Sequence, residues 1–156
     1  MMKIFLINLG FILLILFSSC KKENENNKLE ITIGTVCGWC VGEDSLVIAE
    51  DKTHYDYNGR YCSSSNEIKI DTLTNKQDWD NLVSKLDLNE FQKINLNSCD
   101  ICLDGCDTWI TVRQGSYYHH IRFGMGDSAA IQPIRPLINK LDSIRGRFRV
   151  NTPFRH

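Results

Sequence analysis

Thr108-Trp109-Ile110-Thr111-Val112-Arg113, then Gln114-Gly115-Ser116, then Tyr117-Tyr118-His119-His120-Ile121-Arg122-Phe123: this stretch decides the fold. Two runs rich in β-branched and aromatic residues flank a glycine-containing turn, the signature of an antiparallel hairpin. With Gly115-Ser116 as a two-residue loop, Ile110 faces Ile121, Val112 faces His119, and Phe123 lies on the same apolar side. The other side then sets Trp109 opposite Arg122, Thr111 opposite His120 and Arg113 opposite Tyr118. A slip of one residue would exchange the two sides, so the turn fixes which residues are available for recognition.

Further strand signals lie upstream. Leu29-Glu30-Ile31-Thr32-Ile33 alternates strictly. Asp44 to Glu50 and His54 to Tyr57 flank Asp51-Lys52 as a second hairpin, with Leu46 and Ile48 on the same face as Tyr55 and Tyr57. Asn58-Gly59 supplies the next turn, and Glu67 to Asp71 places Ile68 and Ile70 on one face. A helix follows, with Thr74 and Gln77 at capping-box spacing and Trp79, Leu82, Val83 and Leu86 as its apolar stripe. Leu88, Phe91, Ile94 and Leu96 read as an irregular continuation. After Gly124-Met125-Gly126-Asp127, a last helix has Pro136 in its first turn, Leu137, Ile138, Leu141, Ile144 and Phe148 as its buried stripe, and Gly146 at its end. The order β-β-β-β-α-β-β-α predicts an α+β fold, an antiparallel sheet of about six strands with two helices packed on one face.

The N-terminus divides differently. Lys3 precedes an apolar run from Ile4 to Phe17, broken by Asn8 and Gly10, and Ser18-Ser19 stands directly before Cys20. That is the layout of a signal peptide over residues 1–19, too short and too polar for a spanning helix. Residues 20–28 are polar and read as a spacer, and 29–156 as a single domain. Ser-Ser-Cys-Lys-Lys followed by an Asn/Glu spacer resembles exported lipoproteins of Bacteroidota, with Phe17 standing where that pattern usually has Leu. The resemblance implies cleavage before Cys20 and acylation of its thiol with palmitate-type chains. The partner it implies is a membrane, with Lys21 and Lys22 favouring the outer one over the inner. The closing Pro136-Leu137-Ile138 and Leu141-Asp142-Ser143-Ile144 run is similar to uncharacterised domains of other exported lipoproteins, a group that carries no assigned activity.

Eighteen Lys and Arg against 19 Asp and Glu leave a net charge of −1, which argues against general nucleic-acid binding. Arg145, Arg147, Arg149, Arg155 and His156 form a basic tail, read as solvated and frayed.

Six cysteines besides Cys20 remain: Cys37, Cys40, Cys62, Cys99, Cys102 and Cys106. An oxidising compartment and an even count favour disulfides, whose connectivity the sequence leaves open. Two alternatives compete. Cys37/Cys40 and Cys99/Cys102 have the spacing of a four-thiolate zinc site, with Cys106 as a further ligand. Cys37-Gly38-Trp39-Cys40 also resembles the redox pair of thioredoxins, although it leads into a strand and lacks a facing proline. Asp100, Asp104 and Asp107 do not match a calcium loop and read as solvated turn residues.

No nucleophile elbow, zinc-protease helix or phosphate loop is present in the sequence. The expectation is a non-enzymatic binding or accessory module without a cofactor. Trp109, Arg113, Tyr118, His120 and Arg122 are its candidate surface, and an envelope protein or glycan its partner. A zinc or thiol-redox lipoprotein is the alternative.

Overall fold

The computed structural model describes residues 27–38, 41–59, 67–152 and 154. The expected signal peptide, Cys20, most of the expected spacer, Cys40, Cys62, Arg155 and His156 lie outside the described residues.

Six strands form one antiparallel sheet: β1 (Leu29–Cys37), β2 (Gly42–Ala49), β3 (Lys52–Asn58), β4 (Glu67–Leu73), β5 (Cys106–Gln114) and β6 (Tyr117–Phe123). Their spatial order is β4-β3-β2-β1-β5-β6, so the first strand in the chain sits inside the sheet. Alternation explains the placement. Ile31 and Ile33 point to the same side as Ile48 and Leu46 across one ladder and as Val112 and Ile110 across the other. All six are buried in one apolar core with Leu82, Phe91, Leu137 and Leu141 from the helical layer. At about 25 cal/mol per Å² of apolar area removed from water, that shared layer is the main source of stability. The α+β class and element order agree with the expectation, with one addition. Leu88–Lys93, expected to be irregular, is a short helix because the Asp87 carboxylate accepts the Asn89 and Glu90 N–H groups. The helices are therefore α1 (Lys76–Val83), α2 (Leu88–Lys93) and α3 (Arg135–Gly146).

The hairpin β5–β6 has the expected register, Ile110 opposite Ile121 and Trp109 opposite Arg122, with Gly115 at φ 60° in its loop. The β2–β3 hairpin does not. Ile48 pairs with Thr53 and Leu46 with Tyr55, so Glu50-Asp51 rather than Asp51-Lys52 makes the turn. The shift is two residues, an even number, and Leu46, Ile48, Tyr55 and Tyr57 keep the same face.

Two local expectations fail. Asn75, not Thr74, caps α1, its side chain accepting the Asp78 N–H at 3.1 Å. Thr74 is instead drawn to the sheet, donating to the Ala49 carbonyl at 2.7 Å and sharing a hydrogen bond with Thr53. Helix α1 stops at Val83, and Leu86 packs on the core from the turn that follows.

Arg145, Arg147 and Arg149 are not part of a frayed tail. Arg145, on α3, is 3% exposed and donates to Thr35 and Asp44, which face the same side of the sheet. Arg149 binds the same Asp44 carboxylate through Nε and Nη2, and Arg147 pairs with Asp78. Phe148 stacks on Tyr55 with ring centroids 5.6 Å apart. A buried carboxylate thus fastens the end of the chain to the sheet. At the far edge, Arg122 of β6 exchanges backbone hydrogen bonds with Leu96 and Ser98, a parallel bridge centred on Asn97.

Candidate binding face of the sheet

Each strand alternates between two environments, and the helices take one of them. Buried residues of α1, α2 and α3 belong to the core on the Ile31 side, and no α-helix among the described residues packs on the other. That open face carries Thr32, Gly34 and Val36 from β1, Glu43, Ser45 and Val47 from β2, and Trp109, Thr111, His120 and Arg122 from the β5–β6 hairpin.

Trp109 is the centre of the face because Gly34 lies beside it in the register. A Cβ added to Gly34 would meet indole Cε2 and Cζ2 at 2.3 Å. The missing side chain lets the ring lie down across β1. Its opposite edge approaches His120, with ring centroids 5.9 Å apart and planes tilted by 32°. His120 Nδ1 is 2.9 Å from the Thr111 hydroxyl, which fixes the imidazole against its cross-strand partner. Burial lowers the His120 pKa, reinforced by the charge of Arg122 and by His119.

Arg122 is held from below. Asp107, fully buried, accepts its Nε at 3.1 Å and its Nη2 at 2.5 Å. The same carboxylate accepts the Asp100 and Ile101 N–H groups from the 3-10 turn Asp100–Leu103. Asp107 is therefore a structural anion and not a solvated turn residue as its neighbours suggested. Asp100 accepts the Met125 N–H, and Asp104 takes a left-handed backbone at φ 61°. Arg113 lies over the Tyr118 ring at 5.3 Å and 3.9 Å from Glu30. His119 faces the core side, where Nε2 meets the Ile94 carbonyl at 2.8 Å and the ring stands edge-on to Phe91.

Two hollows share the indole. A wide groove of about 580 Å³ is lined by Trp109, Thr111, Tyr118, His120 and Arg122 together with Val36, Glu43 and Ile101. A smaller one of about 210 Å³ is lined by Glu43, Asp44, Ser45, Asp56 and Asn58 beside the indole. Of the five residues singled out in the sequence, four meet in the wide groove. Arg113 does not line it. The groups that sequence reasoning missed, Gly34, Glu43, Ser45, Asp56 and Asn58, arrive from β1, β2 and β3 through strand pairing, for which no single segment carries a signal.

Four of the six cysteines are placed. Cys37 is joined to Cys106 across neighbouring positions of β1 and β5, with Cα atoms 4.1 Å apart. Cys99 is joined to Cys102 across one turn, at 5.3 Å. The Cys37-Gly38-Trp39-Cys40 motif is thus not a bonded pair, and three of the four thiolates in the zinc alternative, Cys37, Cys99 and Cys102, are held in bridges. Among the described residues, no group of three or more His, Cys, Asp or Glu is placed to hold a metal.

No family model matches the chain, and no curated protein does.

Proposed function

We propose that the protein is a lipid-anchored envelope module that binds a partner through the open face of its sheet. The observation that carries this reading is the Trp109 groove, where an aromatic plate and polar groups are gathered on the one face that α1, α2 and α3 leave bare. Exposed surfaces that combine aromatic and guanidinium groups suit recognition. Anchoring rests on the Ser18-Ser19-Cys20 signal, and the Lys21-Lys22 that follows favours the outer membrane. No helix among the described residues is long and apolar enough to cross a bilayer.

Lipidation has a direct test. Cys20→Ser leaves the chain without a thiol to acylate, and it moves from the detergent phase to the aqueous phase in a phase-partition assay. Two or more acyl chains at about 0.8 kcal/mol per buried CH2 account for the difference. A Cys20→Ser chain that still partitions into detergent refutes the anchor.

Binding is tested with the full chain in detergent, mixed separately with the protein and glycan fractions of the envelope and followed by backbone hydrogen exchange. One fraction is expected to slow exchange in β5 and β6, and Trp109→Ala to abolish the effect while exchange in α3 stays unchanged. If neither fraction protects the hairpin, the binding reading fails.

A second reading rests on Cys99–Cys102, a surface Cys-x2-Cys pair that thiols in solution can reach. As a redox protein, the chain would exchange this bridge with a dithiol at a defined potential. As a zinc protein, it would bind one metal ion after mild reduction. Intact mass with and without reductant and thiol alkylation separates both from a fixed disulfide framework.

A further inference from the structure

We propose that the ligand of the open face is a glycan, seated with the C–H face of one sugar ring on the Trp109 indole and its hydroxyls directed into the hollow around Asp56. This rests on the binding reading above and names the class of ligand.

Three observations converge. The first is the plate itself: Gly34 keeps its site clear so that the indole lies flat on the sheet rather than standing between strands. The π-face of an aromatic ring is electron-rich, and the weakly positive C–H groups of a pyranose complement it. The second is Asp56. Asp56 lines the smaller hollow, and its Oδ1 atom is buried without a hydrogen-bond donor among the described residues. A buried acceptor without a donor costs free energy, and such exceptions in a folded protein call for a partner. A turn of the Asp56 carboxylate toward the hollow would let a sugar hydroxyl supply that donor. Ser45 and Asn58 line the same wall with groups that both donate and accept, as hydroxyls require.

The third is charge. An acidic hollow beside a tryptophan could also hold a cation. Here the surrounding charges are already matched within the protein: Arg122 by Asp107, Lys69 by Glu67, and Asp44 by Arg145 and Arg149. A near-neutral face with a flat aromatic suits a neutral polyhydroxyl ligand better than a lysine-rich or an acidic chain.

The test uses the full chain in detergent and titration calorimetry against neutral hexopyranose and N-acetylhexosamine oligosaccharides, with oligolysine and polyglutamate as charged probes. At least one neutral saccharide is expected to bind saturably. Gly34→Ala, whose new methyl would displace the indole, and Asp56→Ala are each expected to weaken it about tenfold or more. His54→Ala, outside both hollows, should leave it unchanged. If Gly34→Ala does not fold, Trp109→Ser and Asp56→Ala carry the test. Absence of binding by every neutral saccharide overturns the inference, as does binding that survives these changes. Oligolysine binding that depends on Trp109, without saccharide binding, overturns the glycan and leaves the binding face standing. Failure of every probe, with no exchange protection from either envelope fraction, overturns both.

Discussion

Asp44→Ala is expected to lower the unfolding free energy by about 3–5 kcal/mol in urea denaturation, the usual cost of stranding a buried charge. The Asp44 side chain is fully buried and is shared by two cations, Arg145 Nη1 at 3.3 Å and Arg149 Nη2 at 2.7 Å. Their combined attraction is what offsets the loss of hydration of all three groups. Remove the carboxylate and Arg145, itself only 3% exposed, is left in the core with Thr35 and Asp142. A second readout follows from Tyr55, whose hydroxyl donates to Asp44. Burial first, and the Asp44 charge second, push its pKa up to about 12. In Asp44→Ala the tyrosine should titrate at lower pH, which ultraviolet difference spectra will show. A stability loss below about 1 kcal/mol would mean that the arginines reach water when Asp44 is gone, and that the cluster is not what fastens the C-terminus.

Replacing both Cys37 and Cys106 by Ser is the second large effect. The bridge closes a loop with a sequence separation of 69 residues. On the chain-entropy account, such a loop contributes about 4 kcal/mol by restricting the unfolded ensemble. Cys99–Cys102 closes a separation of 3 residues and on the same account contributes about 2 kcal/mol. Thermal melts of the two double variants should therefore rank in that order, with the Cys37/Cys106 change the more damaging. The opposite order would show that the turn at Asp100–Leu103 depends on its own bridge, and with it the two N–H groups that hold Asp107.

What the sequence disclosed, and what it concealed, follows the range of the interactions. Gly115-Ser116 is a local signal, and it set the β5–β6 register and hence the sides taken by Trp109 and His120. Glu50-Asp51 and Asp51-Lys52 are both polar and both can turn, so the loop was misplaced. The period of two kept the apolar side intact all the same. Thr74 and Gln77 fit a capping box, but the neighbouring strand takes the Thr74 hydroxyl and leaves the cap to Asn75. Arg145 stood beside the buried stripe of its helix but read as part of a terminal charge run. Its partner lies 101 residues away, and only the fold brings them together. The candidate site divides the same way: the hairpin half was legible, and the Gly34 and Asp56 half was not.

The Leu96–Ser98 crossing at β6 bears on how the sheet meets another copy of itself. Strands recruit strands through unpaired edges. On β6 the outward N–H and C=O of Arg122 are already engaged, which leaves two outward positions of the same parity, Tyr118 and His120. The other edge, β4, is seven residues long and has no neighbour among the described residues, so every second residue along it presents outward groups. The longer free edge can add a copy by matching β4 to β4 about a twofold axis. Such pairing closes at two molecules, because a fibre requires two different edges that can meet repeatedly.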